Sequence, residues 1–239
     1  MSNSIVEIED TKCIMIFGYN PADSHPIVAR RIIKAKQKGA KIIVCDPRVI
    51  ESARIADMHL QMKNGSNMAL VNAMLNVIIT ENLYKKEYVE KYSEGFDTMW
   101  ETVSKYTPEN TAKITGLDPK VVREAARMYA TSPGSVILWG MGVTQWGQGV
   151  ETCMGLSNMA VITGNLGRPN VGVGPVRGQN NVQGSCDMGA LPGQFPGYQS
   201  VEDPEIRAKF EKAWGVEKLP GKKGIPITEV GHNIEEGKI

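Results

Sequence analysis

Between Gly174 and Pro192 the chain reads GPVRGQNNVQGSCDMGALP, which sets one arginine, two glutamines and two adjacent asparagines among closely spaced glycines. A core strand or helix is not written with so few apolar anchors. Glycine allows backbone angles and ligand approaches that a Cβ forbids. Arg177 offers a planar fork of five donors suited to carboxylate or phosphate.

Three further loops carry residues of the same kind. In Gly18-Tyr19-Asn20-Pro21-Ala22-Asp23 a glycine precedes an expected helix, whose free amides attract phosphate. Cys45-Asp46-Pro47-Arg48 puts a carboxylate where ribose hydroxyls or a base edge could meet it, with Arg48 able to stack or to pair with phosphate. The third is Gly140-Met141-Gly142-Val143-Thr144-Gln145. Taken singly, Asp46-Pro47 also reads as a plain turn, and Gly65-Ser66-Asn67 as plain helix capping. Because only Gly18 is a glycine in its loop, there is no GxGxxG fingerprint, and an ordinary nicotinamide site is disfavoured.

The elements between these loops must bring them together. Lys12–Gly18, Lys41–Asp46 and Ser135–Gly140 are short apolar runs of the form taken by strands buried on both faces. A shorter strand falls near Met58 to Met62. Helices are expected after Asp23 or Ser24 as cap, after Ser66, after Thr107 and Asp118, over Val150 to Thr163, and after Asp203. Strands joined by helices give an α/β fold with a doubly wound, mostly parallel sheet, dinucleotide-binding-like. In such sheets ligands lie outside the carboxyl ends of the strands, where these loops fall. Agreement of the loops on one face favours a nucleotide. The character changes near Gly178, so the expected domains are 1–178, an α/β binding domain, and 179–239, an incomplete segment of a neighbouring α/β domain. There the helix stripe Ile206, Phe210, Ala213 and Trp214 needs a surface to cover.

Composition removes several classes. A net charge of +1 gives no electrostatic case for nucleic acid or an anionic membrane. The longest apolar run is broken by Asn72 and Asn76, so no membrane span is expected. Cys13, Cys45, Cys153 and Cys186 contain no CxxC pair, which supports neither zinc nor an iron–sulfur cluster held by this chain alone. Buried reduced thiols and the lack of a secretory start fit the cytoplasm. His25, His59 and His232 read as structural.

The segments GYNPADSHP, CDPR, KNGSN, GMGVTQ and VRGQNNVQGSCDMGALP occur in the same order in formate dehydrogenase catalytic subunits, molybdopterin oxidoreductases of the bis-molybdopterin guanine dinucleotide class. The chain resembles that family over essentially its whole length. The resemblance implies that Gly18, Asn20, Asp23, Cys45, Asp46, Arg48, Gly65 and Asn67 line the nucleotide end of the cofactor. It implies that Met141, Gly142 and Gln145 approach the pterin and phosphates, and that Arg177 and Gln179 reach toward molybdenum or tungsten. Arg177 would orient the formate carboxylate. At about 4 Å a guanidinium gains roughly 4 kcal/mol from an anion at an effective dielectric near 20, before desolvation.

The family's four-cysteine 4Fe-4S motif and its metal-ligating cysteine or selenocysteine, followed by histidine, do not precede Lys12. The expectation is therefore a central piece of the enzyme, inactive alone, with no metal ligand of its own. Its partners would be formate, the remaining domains of the catalytic subunit and electron-transfer subunits. The rival readings are a related enzyme acting on nitrate or another oxo-anion, and a non-catalytic α/β nucleotide-binding module.

Overall fold

The computed structural model describes residues Met1–Ile239. The chain divides into two compact units, Met1–Gly178 and Gln179–Ile239. The first is built on β1 (Cys13–Phe17), β2 (Lys41–Cys45), β3 (Met58–Leu60), β4 (Ser135–Trp139) and β5 (Gly172–Pro175). These lie in the order β3-β2-β1-β4-β5, and every neighbouring pair is parallel. The doubly wound parallel sheet expected from the apolar runs is present.

Its helices are α1 (Pro21–Ser24), α2 (Pro26–Gln37), α3 (Glu51–Arg54), α4 (Asn67–Thr80), α5 (Lys86–Tyr92), α6 (Phe96–Val103), α7 (Pro108–Thr115), α8 (Pro119–Thr131), α9 (Met141–Thr144) and α10 (Gly149–Ile162). Strand side chains alternate between two cores, as the period of two requires. Ile14 and Ile16 pack with Val28, Ile32 and Ala35 of α2. Cys13, Met15 and Phe17 pack on the opposite face with Leu70 and Met74 of α4, Tyr129 of α8 and Met159 of α10. Burial on both faces is why β1 is apolar at every position.

Local signals account for most helix starts. Thr107 accepts from Asn110 N–H, Asp118 from Lys120 N–H, and Asp203 from Glu205 and Ile206 N–H, each just ahead of a proline in the first turn. Two expected caps are overturned. Asp23 and Ser24 belong to the four-residue α1, and His25 occupies the cap position of α2. Pro26 disfavours helical backbone at His25, so the helix breaks there and restarts. Ser66 stands before α4, but its hydroxyl donates to the Lys63 carbonyl at 2.6 Å and caps nothing. Strand β5 falls in a run, Gly-Val-Gly-Pro, that is not among the expected strands; an edge strand tolerates both its glycines and its terminal proline.

The second unit holds α11 (Val182–Asp187), the antiparallel pair β6 (Gln194–Phe195) and β7 (Gln199–Ser200), α12 (Pro204–Trp214) and α13 (Ile227–Glu235). Its core is small, with Phe195, Val201 and Phe210 buried. The Phe195 and Phe210 rings stack at 4.7 Å, so the α12 stripe finds part of its cover inside its own unit.

Candidate functional site

The chain runs β1–β2–β3 to one side of the sheet, then returns to lay β4 and β5 on the other. The switch point is therefore the gap between the carboxyl ends of β1 and β4. There the two loops meet at a pair of glycines. Gly18 has φ +53°, and its carbonyl accepts from Gly142 N–H at 3.0 Å. A Cβ on Gly18 would lie 2.7 Å from the Gly142 carbonyl carbon, and one on Gly142 would lie 2.6 Å from the Gly18 oxygen. No larger residue fits either position without moving backbone. The Gly142 carbonyl accepts from Asn67 Nδ2 at 3.0 Å and Trp146 Nε1 at 2.9 Å, which ties the loop after β3 to the loop after β4.

Beside this pinch opens a cleft of about 450 Å³, within the usual range for ligand sites. Gly18, Asn20, Asp46 and Arg48 line it from β1 and β2; Gly65 and Asn67 line it after β3, and Gly142 after β4. Asp46 is buried, and its carboxylate accepts from Arg48 N–H at 2.8 Å. Strand β3 steadies this loop: His59 Nε2 donates to the Asp46 carbonyl at 2.9 Å and Gln61 Nε2 to that of Pro47 at 3.0 Å.

Two polar atoms on the wall have no partner within the protein. One is the Tyr19 hydroxyl, on a side chain whose burial pushes its pKa up; the other is Asn20 Oδ1. Asn20 Nδ2 is engaged, donating to Asp23 at 2.5 Å and to Glu51 at 3.4 Å. The Glu51 carboxyl is held below the usual range by its own amide and by Asn20. Buried polar atoms are nearly always paired. Tyr19 and Asn20 share the lining with Asp46 and Arg48, a set of polar side chains that fits a nucleotide.

Not every expected residue reaches this cleft. The Cys45 thiol is enclosed in the core, and burial, with the Asp46 charge, pushes its pKa up; only its carbonyl takes part, accepting from Gly18 N–H at 2.9 Å. The last residue of a central strand points into a core, which its position in CDPR alone does not reveal. Asp23 is exposed on α1, where its carboxylate is taken by Asn20. Met141 and Gln145 are exposed at the two ends of α9 and lie outside the lining. Because α1 has only four residues, its dipole is slight, and the amides of Gly18 and Gly142 are already bonded. The amides of Gly18 and Gly142 are therefore not free to meet a phosphate.

Arg177 follows β5 and is exposed; its carbonyl meets His25 Nε2. Gln179 is the first residue of the second unit. Tyr19, Lys63 and Trp146 line the cleft without having been singled out. Tyr19 and Lys63 stand inside the GYNPADSHP and KNGSN segments, but Trp146 carries no local signal beyond following Gln145.

Comparison with known proteins adds an independent line. A model of the molybdopterin oxidoreductases matches residues 1–225. The chain is 60% identical over 239 residues to formate dehydrogenase H of Escherichia coli K12, covering all of this chain and 33% of that protein. It is 49% identical to the F420-dependent formate dehydrogenase subunit alpha of Methanocaldococcus jannaschii, over 98% of this chain and 35% of that subunit. Among solved structures, acetylene hydratase from Pelobacter acetylenicus superposes with a TM-score of 0.62 at 29% identity, over 67% of this chain and 24% of the hydratase. The chain thus spans about a third of the length of these two formate dehydrogenase relatives.

Proposed function

Since the chain belongs to the molybdopterin oxidoreductase family, we propose that its first unit grips a guanine dinucleotide arm of the cofactor of a formate dehydrogenase. Membership itself implies a molybdopterin holding molybdenum or tungsten. The finer form, a bis-molybdopterin guanine dinucleotide, is part of the proposal. So are a 4Fe-4S cluster and metal ligand supplied by other parts of the enzyme, electron-transfer subunits as partners, and a cytoplasmic setting. No helix is long and apolar enough to cross a membrane.

The observation that carries this reading is the convergence of Gly18, Asn20, Asp46, Arg48, Gly65, Asn67 and Gly142 on one cleft at the strand tips. Five of them have a direct task there. Asp46 accepts from ribose hydroxyls or the guanine edge, and Asn20 Oδ1 accepts a second donor. Arg48 faces a phosphate, with the charge-assisted hydrogen bonds such pairs form. Gly18 and Gly142 act by absence, letting the loops close to contact and leaving the space beside them open.

When bound, the pterin's metal would supply the acceptor for the two electrons released as formate becomes carbon dioxide and a proton. Arg177 orients the formate carboxylate through a bidentate pair, fixing a direction that a lysine would not. Gln179 is part of the same proposal, as a cofactor-binding residue that reaches toward the metal. In the complete enzyme, Arg177→Lys should lower formate kcat/KM by about 100-fold with cofactor content unchanged. Full activity in that variant removes Arg177 from the mechanism. Titration of this chain with GDP and with ADP tests the nucleotide half: saturable, guanine-selective binding is expected, and equal or undetectable binding of both counts against it.

A further inference from the structure

We propose that His25 is a positioning residue for Arg177, an inference that rests on reading Arg177 as the charge that orients formate. Its imidazole Nε2 lies 2.5 Å from the Arg177 carbonyl, across 152 residues of sequence. A carbonyl only accepts, so Nε2 is the donor. On the other side of the ring, Nδ1 lies 2.9 Å from the Ser24 hydroxyl, which donates to the Asn20 carbonyl at 2.7 Å. When both ring nitrogens carry a proton, a line of hydrogen bonds runs from the main chain of a cleft residue, through Ser24 and His25, to the main chain of Arg177. The ring itself is held by Tyr19, with centroids 5.5 Å apart.

The location of this contact gives it meaning. Val176 N–H donates to the Trp139 carbonyl at 2.9 Å, continuing the pairing of β4 and β5 by one residue. Beyond Val176 the sheet no longer orients the chain, and Gly178 on the far side of Arg177 adds backbone freedom. The His25 bond acts on the peptide plane between those two points. That plane helps set the direction in which the Arg177 side chain leaves the backbone. A bidentate carboxylate pair depends on such a direction, and small misplacements are costly in rate.

The bond does not depend on one charge state of the ring. A cationic imidazole donates from both nitrogens. A neutral ring carrying its proton on Nε2 still donates to Arg177, while Ser24 turns its hydroxyl from Asn20 to Nδ1. Only the Nδ1–H tautomer breaks the bridge.

Arg177-Gly178 is the only Arg-Gly pair in the sequence, so carbonyl-¹³C arginine with ¹⁵N glycine yields a single carbonyl–amide cross-peak that reports this peptide plane. His25→Phe is expected to move that peak, and His25→Gln, whose amide can donate from near the place of Nε2, to leave it close to its original position. In the complete enzyme the same pair should give roughly tenfold lower formate kcat/KM for His25→Phe and recovery of most of that loss for His25→Gln. The remaining glycine amides report folding in the same samples. If His25→Phe loses their dispersion, His25→Asn is read in its place. A cross-peak unmoved by the Phe variant, or moved as far by Gln as by Phe, overturns the proposal. A peak that responds as expected in an enzyme that does not oxidise formate upholds the bridge and sinks the functional reading instead.

Discussion

At the amino ends of β1 and β4 a hydrogen-bond network leaves one buried polar atom, the Tyr129 hydroxyl, without a partner; at their carboxyl ends three are left, the Tyr19 hydroxyl, Asn20 Oδ1 and Trp139 Nε1. Ser135 N–H donates to Asn165 Oδ1 at 3.0 Å, Asn165 Nδ2 to the Thr163 hydroxyl at 2.9 Å, and the Ser135 hydroxyl to the Tyr129 carbonyl at 2.8 Å. Thr11 donates to the Gly134 carbonyl at 3.2 Å, and burial pushes the neighbouring Cys13 thiol up to about 12, leaving it inert. The amino ends of β1 and β4 are thus tied to the elements around them by hydrogen bonds. At the opposite end the Tyr19 hydroxyl and Asn20 Oδ1 are unmatched beside an open cleft. The same strands therefore serve stability at one end and keep recognition groups in reserve at the other. Leaving a buried donor or acceptor unmatched costs about 1–3 kcal/mol, a cost that a ligand in the cleft can offset at Tyr19 and Asn20 but not at Tyr129.

This contrast can be broken experimentally. Gly142→Ala should have the largest effect, because its new Cβ meets the Gly18 carbonyl oxygen at 2.6 Å. A loss of about 2–3 kcal/mol in urea denaturation is expected, together with loss of GDP binding, since the cleft wall must shift. Next comes Asn165→Ala at the sealed end, which strands the Ser135 amide. It should cost about 2 kcal/mol while GDP affinity stays as before. A change in both properties would dissolve the division of labour between the two ends.

Asp57 sharpens the picture through pH. Burial raises its carboxyl pKa, but the Ile42 amide, Lys41 and Lys36 together outweigh burial and hold it below the usual range. A carboxyl depressed in the folded state contributes stability above its unfolded value, and that contribution is lost as pH falls through the folded value. Asp57→Asn should therefore destabilise by about 1 kcal/mol at pH 7, and the gap from the parent chain should narrow below about pH 4. Tyr19→Phe should do least to the fold, within about 0.5 kcal/mol, because the hydroxyl it removes has no partner. Its effect should appear as weaker ligand binding, and a loss of stability comparable with Asn165→Ala would mean that the hydroxyl is satisfied in solution.

Much of the fold was legible because buried parallel strands are apolar at every position. CIMIF, KIIVC and SVILW announce themselves, and Thr107, Asp118 and Asp203 each precede a proline in a way that starts a helix. Strand β5 was not legible, since its only claim to be a strand is the ladder offered by β4. Of the cleft, Asp46, Arg48 and Gly142 could be read from loop chemistry. Cys45 could not be separated from them, because which face the last residue of a strand takes depends on the register of the whole sheet. Trp146 was invisible for the converse reason: its place in the wall comes from a hydrogen bond to Gly142, not from any pattern around it.

By itself, then, the order of residues determined the central strands, most helix boundaries and the family, because burial period and loop chemistry are local properties written in consecutive letters. Only the folded chain decided that Gly18 and Gly142 must both lack a side chain, that Asn67 serves Gly142, and that His25 reaches Arg177. Those facts are distances between segments far apart in sequence. They exist only once β1 and β4 lie side by side.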